Sequence, residues 1–254
     1  MKKVVLITGI AGTLGKAFTR LLREDYIVAG IDSSEWAVAE FQQEFPDVTC
    51  VLGDYSNYKS INENIDYIIH CAAYKHVDLG EQNIGGLIKN NLVKMLDLAT
   101  ESVKGGSEFL FISTDKAVEP ISAYGFTKAL GEKITLQIGG SVARLGNIVG
   151  STGSVIPVWE KCIREKQPIK ITDENMTRYM IEDMEAVNQI WMQFLKGEKL
   201  IIPEMGEPVR LLDILANVLK KHGYERPEDY EPGVTTIGIR QGEKLEEKLR
   251  WDWE

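Results

Sequence analysis

The sequence has little cysteine, and none of it in a metal-binding pattern. Cys50, Cys71 and Cys162 are the only three. An odd number without C-x-x-C or Cys/His spacing argues against a disulfide framework and gives no metal site. Cys50 and Cys71 fall in apolar, strand-like runs, where cysteine serves as a small hydrophobe. Basic residues are also short: 29 Lys and Arg stand against 38 Asp and Glu, a net charge of −9. Nucleic acid needs a basic face, so no nucleic-acid partner is expected. An anionic ligand would have to be met by a local group of cations and backbone N–H donors. No apolar run nears the roughly 18–20 residues of a membrane span, and MKK leads straight into a strand with no signal-peptide pattern. No membrane segment is therefore expected, and the expected location is cytoplasmic. Internal repeats and low-complexity linkers are lacking as well.

What is present is an alternation. With 44% hydrophobic residues in 254, the chain can bury the core of one large domain, or of a domain with a small lobe. KVVLITG, YIVAGID, DVTCVLGD, DYIIHCAA, SEFLFIST and GSVARLGNI read as strands. Most are separated by helical patterns such as TLGKAFTRLLRED, with Leu14, Ala17, Phe18, Leu21 and Leu22 on one stripe. This order implies right-handed βαβ units and a doubly wound parallel α/β sheet of Rossmann type, its Val/Ile/Leu-rich strands buried on both faces. After Gly150 the rhythm loosens. Residues 1–150 are expected to form the dinucleotide-binding domain and 151–254 a smaller C-terminal lobe for substrate, with about 183–203 returning to the sheet.

Between the first strand and the first helix lies TGIAGTLG, with Gly9, Gly12 and Gly15 spaced G-x-x-G-x-x-G. Glycines there let the backbone, including Thr13 and Leu14, approach a pyrophosphate that faces the helix N-terminus. Strand two ends in Asp32, which suits both ribose hydroxyls of NAD and would repel the 2′-phosphate of NADP. Asp54, with Tyr55 after it, stands where the adenine amine would lie. Ala72 and Ala73 of HCAAYKHV and the ISTDK stretch end on the same sheet edge, as the floor of a crevice beside the cofactor. Tyr124 and Lys128 are four apart on a helix whose apolar stripe is read as Ala123, Phe126, Leu130 and Ile134. An ammonium and an oxidised nicotinamide near Tyr124 would both lower its ordinary pKa of about 10 and let it act as a base. Asn91, in line with Leu87 and Met95, is read as a buried amide beside the cofactor.

TGxxGxxG followed by YxxxK resembles the extended short-chain dehydrogenases/reductases. AAYKHVDLGEQN, ISTDKAVEPISAYGFTK, RLGNIVGSTGSVIP, ITDENMTRYM and IGIRQGEKLEEKL narrow the resemblance to the polysaccharide-biosynthesis UDP-N-acetylglucosamine 4,6-dehydratases. The resemblance runs from residue 4 to about 250. It implies that Thr114, Asp115, Lys116, Tyr124 and Lys128 are catalytic. Tyr124 would take the C4 hydroxyl proton, Lys116 the C5 proton, and Asp115 would protonate the leaving 6-hydroxyl. For the UDP-sugar it implies contacts from Lys75, His76, Arg144, Asn147, Ser154, Val155, Arg178, Arg240 and Glu243, with Lys244 as a further cation. NAD is expected as a tightly bound, regenerated cofactor, with NADP as the alternative. The Arg that the family commonly carries after strand two is replaced by IDSSE, which favours NAD. A homo-oligomer is expected. A 4-epimerase or keto-sugar reductase of the same fold is the alternative enzyme, and a silent nucleotide-binding protein the alternative from another class.

Overall fold

The computed structural model describes residues 2–61 and 64–252. The first half of the sheet domain is β1 (Val4–Thr8), α1 (Thr13–Leu22), β2 (Ile27–Asp32), α2 (Glu35–Glu44) and β3 (Thr49–Leu52). After β4 (Tyr67–His70) come α3 (Val77–Gln82), α4 (Ile84–Ile88), one π turn over Lys89–Val93 and α5 (Lys94–Lys104). β5 (Glu108–Thr114), α6 (Ala123–Gln137) and β6 (Ser141–Leu145) follow. The later third holds β7 (Asn147–Ile148), α7 (Val155–Arg164), β8 (Ile169–Ile171), β9 (Thr177–Arg178), β10 (Met180–Ile181), α8 (Asp183–Leu195), β11 (Leu200–Ile201), β12 (Val209–Arg210), α9 (Leu211–Lys221) and β13 (Val234–Thr236).

Seven parallel strands form the main sheet in the order β11-β6-β5-β4-β1-β2-β3. It is the expected doubly wound, Rossmann-type sheet. Alternate side chains of each strand go to opposite faces. Val5 and Ile7 meet Phe18 and Leu22 of α1 and Val187 and Ile190 of α8, while Leu6 joins Met95, Leu98 and Phe111 on the other face. Both faces are covered, which is why these strands read as unbroken apolar runs. α8 packs beside α1, and β11 then extends the sheet beyond β6. A third apolar cluster, with Trp159, Ile171, Met176, Leu211, Leu215 and Tyr230, holds α7 and α9 to β8.

Two expectations are overturned. The stripe Ala123, Phe126, Leu130 and Ile134 does not face the core: Phe126 is 53% and Leu130 49% exposed. The buried face of α6 carries Tyr124, Thr127, Lys128, Gly131, Glu132 and Thr135. The reason is that this face meets polar groups on β5 and β6, to which its own polar atoms bond. Arg144, expected to bind substrate, is 1% exposed. Its Nε and Nη2 donate to the two oxygens of Glu132 at 3.0 and 2.6 Å, and its Nη1 to the Leu249 carbonyl at 2.9 Å. Ser113 Oγ adds a bond to Glu132 at 2.6 Å. A fork so engaged inside the protein cannot reach a diphosphate.

Removing one partner of a buried ion pair leaves the other charge uncompensated, at a cost of about 3–5 kcal/mol. Arg144→Met should therefore lose stability of that order in a denaturant titration. Unchanged stability with a raised KM for substrate would instead return Arg144 to the ligand site.

Candidate active site

The strand order reverses between β2-β1 and β4, and open α/β sheets bind ligands at such a point, outside the strands' carboxyl ends. A crevice of about 690 Å³ lies there, within the range of roughly 300–1,000 Å³ for small-molecule sites. Gly9, Gly12, Thr13, Leu14, Gly15, Asp32, Asp54, Tyr55, Ala72 and Ala73 line it, as do Lys75, His76, Asn147, Ser154, Val155, Arg178, Arg240 and Glu243. Thr114, Lys116, Tyr124 and Lys128 belong to the same wall.

The turn after β1 fits a dinucleotide's pyrophosphate. Gly9 has φ +69°, and a Cβ on it would lie 2.8 Å from the Ala72 nitrogen; one on Gly15 would lie 2.4 Å from the Gly9 carbonyl oxygen. Only glycine allows this backbone and this close packing of α1 on the turn. No side chain caps α1 and no acidic residue stands in its first turn, so its leading N–H groups and dipole are open to an anion. Asp32 ends β2 at the crevice, one carboxylate oxygen fixed by the Ser34 N–H at 3.0 Å. Asp54 accepts from the Ser56 N–H at 3.0 Å and hydroxyl at 2.7 Å, and pairs with Lys94.

Asn91 is not in the crevice. It is buried as expected in line with Leu87 and Met95, but both ends of its amide are bonded to the backbone of Tyr74, each at 2.8 Å. It sits in the π turn, a feature often found near functional sites, and holds the loop after β4 in place. Its neighbour Asn90 lines the crevice.

Lys128 lies under α6, donating from Nζ to the Ile112 carbonyl at 2.7 Å, 4.3 Å above the Phe111 ring. Burial lowers its pKa to about 8, with Cys71 and Glu132 opposing. Tyr124 is also buried. Burial pushes its phenol up, the charge of Asp115 adds to this, and a bond from Thr114 opposes it. The expected lowering rests on the ammonium and an oxidised nicotinamide together; from the protein's own groups, desolvation is the largest effect on Tyr124, and the Lys128 amine is bonded to a carbonyl.

Asp115 is fully buried behind Lys116 and does not line the crevice. One of its oxygens accepts from Thr114 Oγ1 at 2.9 Å and Lys116 Nζ at 3.0 Å, while Oδ2 has no partner. Asp115, expected to act on substrate directly, is thus set back from the crevice, which its bonded neighbour Lys116 lines. Arg178 lines the crevice, but its Nη1 donates to the Thr177 carbonyl at 2.6 Å and its Nη2 to the Lys244 carbonyl at 3.0 Å. Lys244 turns away, to the Val118 carbonyl at 2.7 Å and to Glu247 at 3.0 Å.

A family model described as polysaccharide biosynthesis protein matches residues 5–254. The chain belongs to this family. It is 32% identical over 97% of its length to the UDP-N-acetylglucosamine 4,6-dehydratase (inverting) of Campylobacter jejuni, covering 77% of that protein. It is 31% identical, again over 97%, to the UDP-glucose 4-epimerase of Rickettsia massiliae, covering 77%. Among solved structures, Pen from Bacillus thuringiensis superposes with a TM-score of 0.88 at 30% identity, over 98% of this chain and 83% of that one. Two further curated relatives are longer, and the chain spans 45% of each. The chain is an extended short-chain dehydrogenase/reductase in the group of nucleotide-sugar dehydratases and epimerases.

Sequence reasoning named Ser154 at the head of α7 but missed Thr152 in the loop before it. The Thr152 N–H donates to Thr13 Oγ1 at 3.2 Å, and Lys75 Nζ donates to the Thr152 carbonyl at 2.6 Å. This ties the later third of the chain to the glycine turn. The signal was present in the STGS run between a strand and a helix. Among the described residues no cluster of His, Cys, Asp and Glu could hold a metal ion, and no helix is long and apolar enough to cross a membrane.

Lys128 has its folded pKa near 8 and its unfolded reference at 10.5. Between those values the unfolded chain binds more protons, so this residue's destabilising contribution is full below about pH 8 and fades as pH rises towards 10.5. The stability of the wild type should therefore gain on that of Lys128→Met across this window, in parallel denaturant titrations. A difference that stays constant from pH 7 to 10 would show that Lys128 is not charged and desolvated in the cofactor-free protein.

Proposed function

We propose that this protein is a nucleotide-sugar 4,6-dehydratase that acts on UDP-N-acetylglucosamine or a related UDP-N-acetylhexosamine. The product is a 4-keto-6-deoxy sugar, with or without inversion at C5, for surface polysaccharide or glycan biosynthesis. The observation that carries this reading is Lys116. Lys116 lines the same crevice as Tyr124, and its amine is bonded to Asp115 at 3.0 Å. A 4-epimerase or keto-sugar reductase needs the Tyr and Lys but has no use for a second base at the end of β5.

When bound, the nicotinamide cofactor supplies a hydride acceptor and donor and a positive charge beside Tyr124. Tyr124 takes the proton of the C4 hydroxyl, leaving a ketone that acidifies C5. Lys116 removes the C5 proton as the C6–O bond breaks. The departing oxygen leaves as water with a proton passed through the Lys116 amine, to which Asp115 is bonded. C5 then takes up a proton equivalent to the one Tyr124 removed, C6 receives the hydride equivalent that left C4 and becomes a methyl group, and the sum is loss of one water with no net redox change. Thr114 bonds Asp115 and Tyr124 and so links the two acid–base steps.

The diphosphate is assigned to Arg240 and Lys75 at the crevice, and to the head of α7. There Ser154 Oγ is buried without a partner and does not cap its own helix. His76, Asn147, Val155, Arg178 and Glu243 shape the sugar's side of the wall. NAD is assigned over NADP on the strength of Asp32 and the Ser33-Ser34 that follow it. The expected homo-oligomer is supported by the uncovered Phe126 and Leu130 of α6, beside Ile88 and Val93, which are also exposed.

Incubation with UDP-N-acetylglucosamine should give a product lighter by one water in mass spectrometry. Tyr124→Phe should keep its cofactor and turn over about 10²–10⁴-fold more slowly. An isomer of unchanged mass would establish an epimerase instead.

Cofactor choice is tested separately. NAD should bind the apo-protein more tightly than NADP in a fluorescence titration, and Asp32→Ala should narrow the gap. Tighter binding of NADP to the wild type would show that Asp32 does not meet the ribose.

A further inference from the structure

Glu247 lies in the irregular segment after β13, shortly past Arg240 and Glu243 of the crevice wall, and its side chain is only 2% exposed. A carboxylate so placed needs cations and hydrogen bonds to offset its lost hydration. Two ammonium groups reach it: Lys244 Nζ at 3.0 Å from one oxygen, and Lys116 Nζ at 3.5 Å from the other. Lys116 is also 3.0 Å from Asp115. Charges thus alternate along one line, Asp115, Lys116, Glu247, Lys244, and of these only Lys116 lines the crevice.

The segment that carries Glu247 is fixed by bonds other than its own. Lys244 donates to the Val118 carbonyl at 2.7 Å, Lys248 to Glu119 at 2.7 Å, and the Leu249 carbonyl accepts from Arg144 at 2.9 Å. Val118 and Glu119 belong to the same loop as Lys116, so the carboxylate is registered against that loop. Lysine on its own is a point charge on a flexible four-carbon stem. Asp115 is its adjacent residue and restrains it from one side only.

We infer that Glu247 is a positioning residue, holding the Lys116 amine at the crevice wall between its own carboxylate and that of Asp115. The contact stands on geometry alone, while its consequence for turnover rests on the dehydratase reading. In that reading Glu247 serves the C5 step and not the C4 step, because it touches Lys116 and neither Tyr124 nor Lys128.

Glu247→Gln keeps the side chain's shape and removes its charge. The first measurement needs no substrate: wild type and variant are acylated with limiting acetic anhydride, and peptides are quantified by mass spectrometry. Labelling of Lys116 relative to exposed Lys220 should rise several-fold in the variant. Equal labelling of Lys116 in both proteins overturns the inference. The second measurement follows turnover of UDP-N-acetylglucosamine in deuterated water. Misplacement of a catalytic group by about an ångström costs up to about 10²-fold, so kcat and deuterium entry at C5 should fall together by about 10–100-fold, with KM within about twofold. In a Lys116→Met background the same substitution should add nothing further. A loss that is as large in that background, or that tracks a lower melting temperature, overturns it as well. If the wild type releases no water from the sugar, the dehydratase reading falls alone, and the labelling ratio still decides the contact.

Discussion

The arrangement depends on where the Lys128 ammonium is put. It lies under α6, bonded to the Ile112 carbonyl of β5 and set above the Phe111 ring. Buried lysine is expensive unless something receives its donors, and here a strand carbonyl and an aromatic face do so. That single docking fixes the rotation of α6 about its axis. Tyr124, one turn earlier, is carried to the crevice, and Glu132, one turn later, is carried to Arg144. The cost appears on the opposite side, where Phe126 and Leu130 are left in water. Apolar surface left exposed forgoes about 25 cal/mol per Å². The orientation of this helix is set by the polar bonds of its inner face.

The same logic accounts for how an acidic chain handles its cations. Arg144, Lys244 and most of Arg178 are spent on internal carboxylates and carbonyls. They join the last twenty residues to β6, to β9 and to the loop after β5. Beside these, the described residues that line the crevice offer the N–H groups that open α1, Lys170, Arg240, Lys75 (itself bonded to the Thr152 carbonyl) and the head of α7. A few convergent donors suffice where the site excludes water, since charge-assisted bonds strengthen in low dielectric. Net charge says little about such a site.

Sequence and structure agree where the signal is carried by the backbone. The strands were legible because both faces of the sheet are covered, so that each reads as an apolar run; the glycine turn was legible because no other residue could take its place. The crevice followed from the order of those strands. Side-chain assignments were less secure wherever a polar residue had two possible fates. Arg144 and Arg240 are alike in sequence, both in stretches that suggest a phosphate ligand. Only the position of Glu132, a helix away, separates the buried one from the one at the crevice. The stripe of α6 was misread because periodicity assumes that apolar residues face inward, and on this helix a lysine, a tyrosine and a glutamate do. Glu247 was invisible for a further reason: a glutamate in GEKLEEKL looks like a solvated charge until the loop after β5 is folded against it.

Burial moves the two central groups in opposite directions on the pH scale but towards the same state. Tyr124 is pushed up and Lys128 is brought down to about 8, so the low dielectric favours the neutral form of each. A phenol so held is a poor base. It becomes a better one when positive charge is brought close to it, and here the Lys128 amine is bonded to the Ile112 carbonyl instead. On the proposed reading, that charge would come from the nicotinamide ring. A positive charge brought close to Tyr124 would favour its phenolate, while Lys128, with its pKa of about 8, stays mostly protonated at neutral pH. On the proposed reading, a glycine turn that grips one end of such a ligand would also serve the acid–base step at the other, because it would fix where that charge stands.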